Sequence, residues 1–155
     1  MPIFKPDEFL LNILPKKRVL GIDPGTKTIG IAVSNSDLTV ASPIFTIQRK
    51  KLKSDLNQLL EVLKKYDITG IIIGWPLNMD GSIGPRCDSV RDFVKSLLEV
   101  IDIPILLQDE RMSTMAIEKP MIKADLTRKK RNFRTDQLAA CWILQTALDG
   151  LPKRM

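Results

Sequence analysis

The chain has 155 residues, of which 44% are hydrophobic and 27% charged, as is typical of a single globular domain. It contains no histidine, which excludes a Ser-His-Asp triad, a Cys-His pair and His-ligated zinc. The net charge of +6 favours an anionic partner such as nucleic acid, and two cysteines are too few for a disulfide framework and fit a reducing, cytoplasmic location.

Residues 1–17 are expected to form an N-terminal arm that packs on the body of the protein. Their apolar stretch, residues 9–14, follows Asp7 and Glu8 and lacks the basic leader and small-residue cleavage site of a signal peptide. No apolar run approaches the roughly 20 residues that span a membrane. We therefore expect no membrane partner, a single domain over residues 18–150 and a short tail over 151–155.

Three strands are predicted next. Residues 19–23 form a fully apolar run that ends at a Pro-Gly turn signal. Residues 29–34 follow after a short connection, which predicts an antiparallel hairpin. Residues 38–47 form the third strand, and Pro43 within it favours an edge position because proline cannot donate a ladder hydrogen bond.

The second half of the chain alternates between helical and strand patterns. Strands are predicted at residues 71–75 and 103–108, and a final helix at about residues 135–148. Two further helices are indicated by apolar residues at helical spacing: Leu52, Leu56, Leu59, Leu60 and Leu63, then Val90, Phe93, Val94, Leu97, Leu98 and Ile101. Strand-helix-strand units favour parallel pairing. The predicted fold class is α/β, with a mixed five-stranded sheet and helices on both faces.

Acidic residues stand at two predicted strand ends. Asp23 ends the first strand and Glu110 follows the last, while the loop that contains Asn78 leaves the strand between them in sequence. Ligands collect beyond the carboxyl ends of parallel strands, so these positions are expected to converge. The alternatives are that Asp23 forms an Asx-turn before the Pro-Gly pair, and that Asp109 and Glu110 are acids at a helix N-terminus.

A third acid, Asp136, lies on a predicted helix. The positions that share its helical face are apolar, which directs the carboxylate toward the sheet: Ala139, Ala140, Ile143 and Ala147. The alternative is an exposed first-turn acid that follows a Thr135 cap.

Asp23, Glu110 and Asp136 together indicate a divalent-metal site. Crowded carboxylates repel one another unless a cation lies among them, and Mg²⁺ or Mn²⁺ suits all-oxygen coordination. Two such ions about 4 Å apart can stabilise both the attacking and the leaving oxygen in phosphodiester cleavage, a mechanism that needs no histidine.

A basic run precedes Asp136, and it favours contact with a nucleic-acid backbone over the alternative of a solvated surface loop. Its members are Arg128, Lys129, Lys130, Arg131 and Arg134. Lys27 and Asn78 are weaker candidates for substrate contact. Arg111 is expected either to hold a phosphate or to pair with a neighbouring acid.

Four motifs occur in order along the chain. They are Gly21-Ile22-Asp23-Pro24-Gly25 with Gly30-Ile31-Ala32; Gly74-Trp75-Pro76-Leu77-Asn78-Met79-Asp80-Gly81-Ser82 with Gly84-Pro85; Asp109-Glu110-Arg111-Met112-Ser113-Thr114; and Asp136-Gln137-Leu138-Ala139-Ala140 with Ile143-Leu144-Gln145. Together they resemble the YqgF/RuvX family over about residues 18–148. Any one motif would be weak evidence, but the ordered set is specific.

The resemblance implies a ribonuclease H-like fold and a relative of Holliday junction resolvases, now usually described as the nuclease that matures the 5′ end of pre-16S ribosomal RNA. It maps the family's acidic residues onto Asp23, Glu110 and Asp136, with Asp109 as a candidate fourth. The family's Leu-Thr-Thr after Asp-Glu-Arg is Met112-Ser113-Thr114 here. Pro120 falls where a helix would be expected to continue, so residues 118–134 are expected to be rearranged or mobile.

The main hypothesis is therefore a metal-dependent endonuclease acting on structured RNA, with precursor ribosomal RNA as substrate. A second hypothesis is resolution of four-way DNA junctions, for which a homodimer is expected because two strands must be cut symmetrically. Two hypotheses of another class remain: a nucleic-acid-binding module that does not cut, and an ATP-binding module. The latter arises because Asp23-Pro24-Gly25-Thr26-Lys27 also resembles the phosphate loop of the actin and sugar-kinase superfamily.

Overall fold

The computed structural model describes residues 3–25, 27–76, 82–109 and 128–151, with side chains described over 5–25, 27–76, 82–109 and 138–151. The elements are, in chain order, β1 (Ile3–Phe4), α1 (Pro6–Asn12), β2 (Arg18–Pro24), β3 (Thr28–Ser34), β4 (Ala41–Gln48), α2 (Leu52–Lys65), β5 (Ile68–Trp75), α3 (Pro85–Leu98), β6 (Ile105–Asp109) and α4 (Arg128–Gly150).

The strands form one mixed sheet in the order β1-β6-β5-β2-β3-β4. β2, β3 and β4 are antiparallel neighbours, whereas β2, β5 and β6 pair in parallel. The five predicted strands and the mixed pairing are confirmed, and Pro43 does lie on an edge strand, β4. The two-residue strand β1, which was not predicted, adds a sixth strand beside β6.

Helices cover both faces of the sheet, as predicted. α2 and α3 pack on one face, where Leu59 and Leu97 are fully buried against strand residues such as Ile22. α1 and α4 pack on the other face, where Phe9 and Leu144 are fully buried. The sheet therefore separates two apolar layers, and alternate residues of each central strand enter one layer or the other.

β4 begins at Ala41, three residues later than predicted. The preceding turn is held by the side chain of Asn35, whose Oδ1 accepts hydrogen bonds from the backbone N–H groups of Thr39 (2.8 Å) and Val40 (3.1 Å). Leu38 has a φ of 58°, in the left-handed region that a strand does not use. The apolar residues Leu38 and Val40 thus belong to a turn built by an Asx side chain.

The last helix begins at Arg128, seven residues before the predicted start. The backbone of the basic run is therefore helical and not a loop, while the choice between phosphate contact and a solvated surface stays open. Asp136 is the ninth residue of α4, so it is not a first-turn acid after a Thr135 cap. The predicted rearrangement or mobility of residues 118–134 stays a prediction: residues 128–134 are helical in their backbone, and 118–127 lie outside the described residues.

The N-terminal arm contacts the core through Phe9, which is fully buried, and Ile13, which is 5% exposed. They fill the space left by the missing side chain of Gly70 on β5, where an added β-carbon would lie 2.6 Å from Phe9 Cζ. The N-terminal arm is therefore packed against the sheet through the contact of Phe9 and Ile13 with Gly70. In the described part of the chain, no helix combines the length and apolarity needed to cross a bilayer.

Candidate active site

Asp23 lies at the carboxyl end of β2 with a glycine on each neighbouring strand. Gly30 of β3 is directly opposite it in the antiparallel ladder. The β2–β5 register pairs Ile22 with Ile73, which puts Gly74 beside Asp23 on the other side. Neighbouring strands are about 4.8 Å apart, so the half-buried carboxylate has no side chain at its level on either flank.

The Asp23 side chain belongs to the face of the sheet that α4 covers. Leu20 and Ile22 enter the layer formed with α2 and α3, whereas Val19 enters the layer formed with α4. Gly21 contacts α4 directly, since an added β-carbon would lie 2.7 Å from Leu144 Cβ. Because strand side chains alternate, Asp23 follows Val19 and Gly21 on this face.

α4 is oriented so that its N-terminal half extends toward the carboxyl end of β2. Cys141 Sγ donates to the carbonyl of Ala41 (3.4 Å), and one turn later Gln145 Nε2 donates to Thr39 O (2.9 Å). From 141 to 145 the helix therefore moves from β4 out into the β3–β4 turn, away from Asp23. Followed backward, it runs past Gly21 toward the end of the sheet where Asp23 lies.

Asp136 lies on that N-terminal half, one turn before Ala140. Its side chain is outside the described residues. The four positions that share its helical face are each at most 3% exposed: Ala139, Ala140, Ile143 and Ala147. The prediction that this face packs on the sheet is confirmed for those residues, and their small side chains let the helix approach closely.

Asp109 ends β6 at the same end of the sheet, where the parallel strands have their carboxyl ends. It pairs in register with Trp75 of β5, one residue beyond the Gly74–Gln108 pair, and it is exposed. Glu110 is the next residue and lies outside the described residues, as do Asn78 and Arg111. Backbone topology thus brings Asp23 and Asp109 to the same end of the sheet, on strands that are separated by β5.

No group of three or more Cys, Asp or Glu residues that could hold a metal occurs within the described residues. Two of the three predicted ligands, Glu110 and Asp136, have side chains outside that part. The chemistry of the remaining donor fits a hard cation: Asp23 supplies carboxylate oxygens beside two glycines, and a divalent ion needs such oxygens with room for further ligands. The predicted ligand set stays a prediction.

The basic candidates lie at the same end of the molecule. Lys27 is exposed in the β2–β3 turn, where its carbonyl accepts the Arg49 backbone N–H (2.9 Å). The basic run occupies the first two turns of α4, and by helical spacing position 129 shares the face of Asp136. The side chains of 128–134 are outside the described residues.

Sequence reasoning missed two arginines, Arg49 and Arg86, that lie close to this end of the sheet. Both line a cavity beside the β2–β3 turn. Arg49 begins the basic run Arg49-Lys50-Lys51 just after β4, and Arg86 follows a proline at a helix start; neither lies within the four motifs. No sequence signal places these two arginines together, because their proximity comes from tertiary structure.

The model for the RuvX family, described as Holliday junction resolvase, matches residues 17–150. The chain belongs to the RuvX family. Among RuvX relatives, a protein of Paramagnetospirillum magneticum named "Putative pre-16S rRNA nuclease" is 44% identical over 150 residues, covering 97% of each chain. One of the same name from Ruegeria sp. strain TM1040 is 48% identical over 145 residues, covering 94% of this chain and 92% of the relative.

A solved structure, Thermus thermophilus RuvC in complex with a Holliday junction substrate, aligns with a TM-score of 0.54 at 17% identity, covering 86% of this chain and 94% of that one. At that identity the likeness shows the fold alone. The predicted ribonuclease H-like fold and the family resemblance are confirmed. The expectation of a nuclease is likewise confirmed at the level of the RuvX family.

Proposed function

We propose that this RuvX-family chain is a divalent-metal-dependent endonuclease that hydrolyses phosphodiester bonds in structured nucleic acid, with pre-16S ribosomal RNA as its favoured substrate. One observation carries the proposal: Asp23 stands between Gly30 and Gly74 on the face toward which the N-terminal half of α4 leads. The neighbouring strands add no side chain at the level of this carboxylate, so they do not hinder its approach to a phosphate-bound cation.

In this proposal Asp23, Glu110 and Asp136 hold Mg²⁺ or Mn²⁺, with Asp109 as a candidate fourth ligand. The metal supplies charge neutralisation at the phosphate and a lowered pKa for the attacking water. The three carboxylates would position the cation, and their negative charges are tolerated at close range only with that cation. Water attacks the phosphorus, the bond from phosphorus to the leaving oxygen breaks, and the proton that the water loses is balanced by one taken up at the leaving oxygen.

The basic residues bind the backbone on either side of the scissile bond. Arg128, Lys129, Lys130, Arg131 and Arg134 are assigned to phosphates along the first two turns of α4. Lys27, Asn78 and Arg111 are assigned to contacts nearer the acids. Because each neutralised phosphate releases counterions, binding is expected to weaken steeply with salt.

RNA is favoured as substrate because the two RuvX relatives described above, at 44% and 48% identity, carry the pre-16S rRNA name. Four-way DNA is the second candidate, because the matching family model is described as a Holliday junction resolvase. Cutting a junction requires two symmetric sites, so that function would need a homodimer.

The proposed organisation is an arm over residues 1–17, a nuclease domain over 18–150 and a tail over 151–155. A cytoplasmic location fits the two free thiols, Cys87 and Cys141, since a reducing compartment keeps such thiols unpaired.

The test is a cleavage assay on a precursor 16S rRNA fragment and a four-way DNA junction, each with Mg²⁺, Mn²⁺ or chelator. Asp23→Asn preserves side-chain size and removes the charge. Asp102→Asn is the matched control, because Asp102 is exposed just before β6, at the opposite end of the strands from Asp23.

Metal-dependent RNA cleavage that Asp23→Asn abolishes and Asp102→Asn retains would support the proposal. Cleavage of the junction alone would assign the chain to DNA. Full activity in Asp23→Asn, or cleavage that persists in chelator, would overturn the metal-site assignment. Binding of both substrates without cleavage would make the chain a binding module.

A further inference from the structure

A cavity of about 160 Å³ lies on the face of the sheet opposite Asp23, between the β2–β3 turn and α3. Its lining residues are Pro24, Gly25, Arg49, Pro85, Arg86, Ser89, Val90 and Phe93. Two of these are arginines, and no acid is among the described residues that line it. The cavity therefore combines apolar walls with concentrated positive charge.

Arg49 is held in place by two contacts. Its Nη1 donates a 2.7 Å hydrogen bond to the carbonyl of Gly25, and its guanidinium carbon is 5.8 Å from the centroid of the Phe93 ring. A guanidinium has five N–H donors, and the hydrogen bond to Gly25 uses one N–H of Nη1. Arg49 is half-buried, so little side-chain freedom is lost when it binds an anion.

Arg86 and Ser89 are exposed and lie three residues apart in the first turns of α3, so they face the same side of the helix. Asp88, the acid between them, bonds Arg91 Nη1 (3.4 Å). A hydroxyl and a second guanidinium thus stand opposite Arg49, and planar guanidinium groups match the geometry of phosphate oxygens.

The cavity and the acid site share the β2–β3 turn. Asp23 faces α4, whereas the next residue, Pro24, lines the cavity. Lys27 is exposed in the turn that separates the two. A strand whose scissile phosphate lies at Asp23 can pass over this turn and present a neighbouring phosphate to Arg49 and Arg86.

We infer that the cavity is a second phosphate-binding subsite, which holds one backbone phosphate of the substrate strand through Arg49, Arg86 and Ser89. The inference rests on the proposed function, because the ligand is the nucleic acid that the acid site cuts. It adds a positioning contact on the α3 face, distinct from the basic run on α4.

The test measures binding in chelator, so that no cleavage is required. A fluorescein-labelled precursor 16S rRNA fragment is titrated by anisotropy at several KCl concentrations, with Arg49→Gln, Arg86→Gln and the wild-type chain. Arg18→Gln is the matched control, because Arg18 is exposed at the opposite end of β2. The four-way junction is titrated in parallel.

Each cavity variant is expected to weaken binding at least threefold and to reduce the slope of log K against log salt by about one, the effect of one lost phosphate contact. Arg18→Gln is expected to change neither quantity. Arg49 also holds Gly25, so Arg49→Gln could act through the turn; Arg86→Gln has no such role in the described contacts and must show the same loss.

Unchanged affinity and salt slope in Arg86→Gln, with wild-type binding intact, would overturn the subsite and leave the nuclease proposal standing. No binding of either nucleic acid by the wild-type chain would overturn both. Loss of cleavage in Asp23→Asn, together with weakened binding and a reduced salt slope in Arg86→Gln, would support both independently.

Discussion

Gly21 and Leu144 are in such close contact that a β-carbon at position 21 would lie 2.7 Å from Leu144 Cβ and 3.1 Å from the carbonyl oxygen of Ala140. The missing side chain of Gly21 thus sets the distance between β2 and α4. Since β2 carries Asp23 and α4 carries Asp136, this contact determines how closely the two acid-bearing backbones can approach.

Gly21→Ala is expected to destabilise the fold by about 1–3 kcal/mol, the usual range for overpacking a core. It should also lower metal-dependent cleavage, since α4 must shift outward. Urea denaturation and the cleavage assay measure the two effects. Gly150→Ala is the control, because an added β-carbon there has no atom within 4 Å. Equal stability of the two variants would contradict the close-contact argument.

Gly30→Ala should reduce cleavage while the sheet remains folded. The new methyl would stand directly opposite Asp23, on the strand beside it, and occupy space proposed for the metal and its oxygen ligands. We expect at least a tenfold loss in kcat/KM with a change in Tm of only a few degrees. Retained activity at wild-type level would show that the gap beside Asp23 is not used.

Phe9→Ala should destabilise the protein by about 3–5 kcal/mol, as expected for removal of a fully buried aromatic side chain. Gly70→Ala should also destabilise it, because the added carbon would lie 2.6 Å from Phe9 Cζ. The double variant should be more stable than the sum of the two losses predicts, since removing the ring removes that clash. Additive losses would contradict direct contact between arm and sheet.

Cys141 gives a pH dependence of known sign. Burial raises the pKa of its thiol in the folded state above the ordinary value. The contribution to stability is therefore fully present below the unfolded pKa and is lost as pH rises toward the raised folded pKa, because the unfolded chain loses this proton first. The unfolding free energy should fall with alkaline pH.

Urea denaturation from pH 7 to pH 10 tests this, with Cys141→Ala as the comparison. Other groups titrate in both proteins, so the readout is the difference between their pH slopes, at most about 1.4 kcal/mol per pH unit for a single proton. Identical slopes would contradict the raised pKa of Cys141.

The elements that sequence predicted well are those with a strong local hydrophobic pattern. β2 and β5 are contiguous apolar runs, and α2 and α3 carry apolar residues at helical spacing, so local pattern and tertiary burial agree. The start of α4 failed for the opposite reason. Residues 128–134 are mostly charged, and a helix without an apolar stripe gives no periodic signal.

The candidate site was predictable only in part. Asp23 was found because an acid at the end of an apolar strand is unusual, and its neighbours Gly30 and Gly74 follow from strand register. Arg49 was missed because its contact with Gly25 joins two turns far apart in sequence. Contacts of that kind depend on the closed fold, and no local pattern encodes them.

Gln145 has a further consequence at the outer edge of the sheet. Its side-chain amide accepts the Ala41 N–H (2.8 Å) and donates to Thr39 O (2.9 Å), and Pro43, two residues further along β4, has no N–H to offer. The backbone groups at positions 39, 41 and 43 point away from β3. On that side, unpaired N–H and C=O groups of an edge strand would otherwise pair with a strand of another chain. The final helix therefore protects the first half of β4 from strand-to-strand pairing with another chain.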